Sequence, residues 1–108
     1  IEAIVADPAF NHVYFDISWT ETAKYIVASP AETEAAARLM NRYPDRFLFG
    51  TEEVAPKTQD SYLKSYNQYA PLWRQLTAKA AEKIHKENYE RLFDKARKDV
   101  REWEKAHQ

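Results

Sequence analysis

From Val13 to Trp19 apolar and polar positions alternate. Val13, Phe15, Ile17 and Trp19 fall on one side, and Tyr14, Asp16 and Ser18 on the other. This period of two predicts a strand with one apolar and one mixed face. A second apolar run, Phe47 to Gly50, predicts a second strand. Between them, Ser29-Pro30-Ala31-Glu32 signals a helix start. Ser29 can cap, Pro30 suits the first helical position, and Glu32 completes a capping box. Pro44 should stop this helix at Arg42 or Tyr43, and Ala36, Leu39, Met40 and Tyr43 form its apolar stripe. Strand, helix and strand in this order predict a βαβ unit with parallel pairing.

The flanks read as helical. Ile1 to Ala6 looks like the end of a helix stopped by Asp7-Pro8, and Thr20 to Val27 allows one or two helical turns. Glu53 to Gln59 is a loop. Asp60 is placed to cap a helix whose Tyr62, Tyr66, Tyr69 and Trp73 share a face, with Pro71 kinking or splitting it. Thr77 caps a final helical segment. In it Ala81, Ile84, Asn88, Leu92, Ala96, Val100 and Trp103 recur at helical spacing. Glu82–Lys86, Glu87–Arg91 and Asp94–Lys98 are i,i+4 pairs in the favourable order, each worth about 0.3 kcal/mol.

Composition narrows the classes. The chain of 108 residues fits one domain. Its first residue is Ile1 and its only methionine Met40, so it reads as starting within a longer protein, or as built. With 16 basic and 17 acidic residues the net charge is −1, which argues against a nucleic-acid partner. No apolar run suggests a membrane span. With no cysteine, disulfides, thiolate metal sites and a cysteine nucleophile drop out, and a cytoplasmic origin is expected. The one glycine, Gly50, rules out a glycine-rich phosphate loop and favours long helices.

Arg46-Phe47-Leu48-Phe49-Gly50-Thr51-Glu52-Glu53 runs from a strand into an acidic loop. It resembles the end of the last barrel strand in the amidohydrolase-related, metal-dependent (β/α)8-barrel hydrolases, which usually ends Gly-Thr-Asp or Gly-Ser-Asp. Val13 to Trp19 resembles the preceding barrel strand, and Asn41 to Thr51 the helix-to-strand stretch before the family Asp. Lys83-Ile84-His85-Lys86-Glu87-Asn88 through Leu92-Phe93 is similar to the family's closing signature, Ile-x-x-Gly-Asn followed by Leu-Phe.

The resemblance implies a helix-rich α/β fragment of a barrel: helix, seventh strand, helix, eighth strand, closing helices. A whole barrel takes roughly 250 residues. Two positions depart from the pattern. Glu52 stands for the usual Asp, and Glu87 for the usual Gly. With Glu at position 87, residues 77–106 can run as one long helix.

The chemistry implied is metal-assisted hydrolysis of a small-molecule substrate. Family members hold one or two divalent ions (Zn, Mn or Fe) with an early His-x-His, later histidines and the final Asp. Here His12, His85 and His107 form no such motif, and surface histidine is the default for each. A catalytic ion needs about three protein ligands, so the chain by itself is expected to bind no cofactor and to be inactive. The candidate catalytic residues are Glu52, at the position of the family Asp, and then Asp16, which would point into a whole barrel. Against each stands a plain reading, a solvated loop acid and a wet strand residue. The tyrosine stripe could line a substrate mouth or simply pack. The rival to a barrel fragment is an engineered or repurposed scaffold without catalysis. Either way, the open strand edges and the lack of obvious cover over Tyr14 and Leu48 predict a homodimer or higher oligomer.

Overall fold

The computed structural model describes residues 1–107. Two short strands, β1 (Phe15–Asp16) and β2 (Phe47–Leu48), pair in parallel, with Phe15 opposite Phe47 and Asp16 opposite Leu48. Around them lie α1 (Glu2–Ala6), α2 (Thr20–Ile26), α3 (Pro30–Arg42), α4 (Gln59–Gln68) and α5 (Ala70–Trp73), then a continuous helical run from Ala78 to Ala106. The protein is a helix-rich α/β molecule, as the alternation and the caps predict. The strands are shorter than the apolar runs. Trp19, expected to face with Ile17, instead sits at φ 84 and is exposed, because the chain turns there to start α2.

The local signals explain most boundaries. Ser29 Oγ accepts the Glu32 N–H at 3.3 Å, and Pro30 opens α3, which ends at Arg42 before Pro44. Thr77 Oγ1 accepts the Ala80 N–H at 3.1 Å. Pro71 lies in α5, just beyond the end of α4. Asp60 is not the cap of α4; Thr58 holds that position and Asp60 lies in the first turn, where its charge still favours the helix N-terminus.

The core gathers Val5, Ile17, Ala37, Met40, Phe47, Tyr69, Leu72 and Ile84. α3 buries Thr33, Ala37 and Met40, while Ala36, Leu39 and Tyr43 pack at its margin. The stripe is thus rotated slightly from the one the sequence suggests. Arg46 ties the N-terminal segment to the sheet: its guanidinium donates to the carbonyls of Val13 (2.8 Å), Val5 (3.2 Å) and Phe10. A planar fork of five donors suits such multiple bonding. Arg46 and Arg91 also flank the Tyr14 ring, at 5.9 and 5.7 Å. Tyr14 therefore has cover, contrary to the expectation, because two cations close over its face.

The long helical run carries two π segments, Lys83–Glu87 and Glu90–Asp94. The first has an identifiable cause. The Asn88 N–H reaches back to the carbonyl of Lys83, which releases the Ile84 carbonyl. That oxygen accepts the Phe49 N–H at 3.2 Å, beside the sheet. A π turn frees a main-chain acceptor in this way. None of the three predicted ion pairs forms. Lys86–Glu90, Lys95–Asp99 and Lys98–Glu102 form instead. Beyond Asn88 the helix leaves the core. Its last segment, Lys95–Ala106, buries no residue. The radius of gyration is 16.0 Å, against roughly 13 Å for a compact chain of this length.

Candidate functional site

The C-terminal ends of β1 and β2 meet at a small constellation. Asp16 Oδ1 accepts the Ser18 N–H at 2.8 Å and also the Ser18 hydroxyl proton. Ser18 Oγ in turn accepts the Gly50 N–H at 2.7 Å. The hydroxyl thus clasps the two strands just past their pairing. A Cβ on residue 50 would stand 3.1 Å from Ser18 Oγ, so the lone glycine permits this close approach. Ser18 is not among the residues expected to matter, although a serine two residues after an aspartate at a strand end is a recognisable turn signal.

Tyr69 supports the same point from below. It is fully buried, and its hydroxyl donates toward the carbonyls of Ile17 and, at 2.9 Å, Trp19. Burial and then the charge of Asp16 push its phenol up to about 12. It therefore remains a neutral donor at ordinary pH. Around it, Phe49, Tyr66, Trp73 and His85 pack edge to face or stacked, with centroid separations from 4.5 to 6.0 Å. The stripe is packing, and Tyr62, 42% exposed, stands outside it.

His85 corrects an expectation. It does not lie on a charged surface but is half-buried in this aromatic cluster, and its Nε2 is buried without a hydrogen-bond partner among the described residues. Burial holds its pKa below the ordinary value. The signal that could have found it is its place beside Ile84, on the buried side of the helix. Asn88 stands in the sequence both in the helical stripe and in the closing motif. It is buried, and its amide donates to the carbonyls of Pro44 (2.7 Å) and Phe47 (2.8 Å) while its own oxygen accepts from Arg91.

The two candidate acids are placed differently. Asp16 is exposed and spends one oxygen on Ser18; with Ser18, Leu48, Gly50, Tyr89 and Phe93 it lines a hollow of about 220 Å³. Glu52 is exposed, in the loop after β2, at φ 51. Ala55, in the same loop, shares that φ of 51. With Trp19 this makes three non-glycine residues of positive φ among the described residues, all in the segments that follow the strands. Such backbone costs about 1–3 kcal/mol per residue and clusters at functional ends of folds. Among the described residues no three His, Asp or Glu side chains come together to hold an ion. That hollow falls short of the roughly 300 Å³ at which small-molecule pockets begin, while Asp16 also borders an apolar cavity of about 500 Å³ lined by Phe15, Ile17, Ile26, Leu39 and Met40. What the arrangement does chemically is fasten two strand ends. Set against protein-family models, curated proteins and solved structures, the chain matches none of them. No helix among the described residues is long and apolar enough to cross a membrane.

Proposed function

We propose that this chain is the C-terminal portion of an amidohydrolase-like, metal-dependent barrel hydrolase, inactive alone because most metal ligands lie outside it. The observation that carries this reading is Asn88, the Asn of the closing signature. Its amide binds the carbonyls of Pro44, three residues before β2, and of Phe47, the first residue of β2, which supports reading it as the residue that docks the closing helix onto the strand. Parallel pairing of the strands around α3, with strained loops after both, is consistent with the end of a barrel where such enzymes place their chemistry. On this reading Glu52 and Asp16 face the missing part of the site. Zinc, manganese or iron and a small-molecule substrate belong to the whole enzyme, in the cytoplasm.

A second reading is a repurposed or engineered scaffold cut from such a protein. It is favoured by the unbroken helical run through Glu87, where the family Gly would break a helix. Elemental analysis after purification without chelator tests the first reading. The expected result is substoichiometric metal. Near-stoichiometric zinc, manganese or iron that is lost in Glu52→Ala would show a complete site and overturn it.

A further inference from the structure

The C-terminal arm carries a pattern that the rest of the fold does not use. Tyr89, Phe93, Ala96, Val100 and Trp103 are spaced four, three, four and three apart. This is the a/d repeat of a coiled coil, with Phe93 and Val100 at a and Tyr89, Ala96 and Trp103 at d. The large members are 52–62% exposed, and Ala96 is exposed as well. Tyr89 and Phe93 stack on each other with ring centroids 4.6 Å apart. Both also line the hollow beside Leu48, so the seam runs from that hollow out along the arm. A helix that buries nothing gains little from propensity alone, so the arm needs a partner to be worth its order.

We propose that the partner is a second copy of this chain, seated antiparallel on the same seam. Three observations choose that occupant and its direction. First, a parallel pair would set Trp103 on Trp103, Tyr89 on Tyr89 and Ala96 on Ala96, crowding some layers and leaving another empty. An antiparallel pair can place Tyr89 opposite the second copy's Val100 and Phe93 opposite its Ala96, so in these layers an aromatic ring meets a smaller side chain by symmetry. Second, the flanking charges agree. In that register Arg97 of each copy meets Glu90 of the other, twice. The parallel alignment would instead bring Asp99 against Glu104, acid on acid. A shift of one heptad in the antiparallel pair sets Arg97 on Arg97. Third, Arg97 makes no ion pair among the described residues, and Glu90 has only a loose one, 3.8 Å from Lys86. The same register brings Trp103 over the second copy's Lys86, a favourable cation–π placement. The contact is isologous and closes at two chains.

The test is sedimentation equilibrium on the whole chain at micromolar concentration, with circular dichroism on each variant to check folding. The native chain should be a dimer. Arg97→Glu sets acid against Glu90 at both contacts and should weaken the dimer by on the order of tenfold. Adding Glu90→Arg to it restores opposite charges and should restore the dimer. Both positions are exposed, so neither change threatens the core. A native monomer would overturn the proposal and leave the seam to a different protein. A dimer indifferent to Arg97→Glu, or one that the double variant fails to rescue, would overturn the antiparallel register.

Discussion

Replacing Asn88 by Ala is the sharpest probe of how this fold is held. Asn88 is 1% exposed and its two amide protons go to Pro44 O at 2.7 Å and Phe47 O at 2.8 Å. Alanine removes both donors and leaves a small void where the carboxamide stood. Water reaches the Phe47 carbonyl poorly, since Phe47 itself is 1% exposed. A buried acceptor left without a partner costs about 1–3 kcal/mol. The Pro44 carbonyl is partly buried and costs less. The Arg91 guanidinium also loses its contact with Asn88 Oδ1 at 3.3 Å, a long bond of small value. The expected loss is about 2–4 kcal/mol, a large share of the roughly 5–15 kcal/mol that holds a typical domain. Urea unfolding followed by circular dichroism at about 222 nm reads it as a shift in midpoint at constant slope. Asn88→Asp sharpens the test, because it keeps the shape and replaces both donors with acceptors facing carbonyl oxygens. It should be at least as damaging at neutral pH. If Asn88→Ala cost under about 0.5 kcal/mol, the value of an ordinary surface change, the clasp would be incidental and the reading of the closing signature would lose its support.

Two further outcomes are expected. Tyr69→Phe should cost about 1–3 kcal/mol by leaving the Ile17 and Trp19 carbonyls without their donor. In a tyrosinate absorbance titration the same variant should lack one late step near pH 12 that the native chain shows. That raised phenol stabilises the fold fully below the ordinary 10.0, and the contribution is lost as pH rises through about 12. His85 has a lowered folded pKa, so the unfolded chain binds the proton more readily. Its contribution is intact above the ordinary 6.5 and is lost as pH falls below that through the lowered value. His85→Phe should flatten the fall in stability with acid over this window, measured against the native chain by urea unfolding. An unchanged slope would show that the ring titrates freely.

The signals legible along the chain were local. The alternation from Val13 as far as Ser18, the cap at Ser29, the stop at Pro44, the split near Pro71 and the cap at Thr77 are short-range signals, and the chain obeys them because each acts within a turn or a pleat. The parallel pairing followed from the spacing of two apolar runs about one helix. Tertiary structure decided the rest, because it depends on which groups meet from distant segments. Arg46 finds carbonyls on three separate residues of the N-terminal segment, and nothing local marks it. Ser18 matters because Gly50 arrives beside it. The π turn at Lys83–Glu87 exists because the Phe49 N–H needs an acceptor, a demand made by the strand and met by the helix. Glu52 and Asp16 were visible as acids at strand ends, but their surroundings were not: Asp16 is tied to Ser18, and Glu52 stands in strained backbone at the surface. The heptad spacing on the arm is written along the chain. Its availability is not, for only the packing of Ile84 and Asn88 against the sheet fixes where the helix leaves the core and which of its faces remains uncovered.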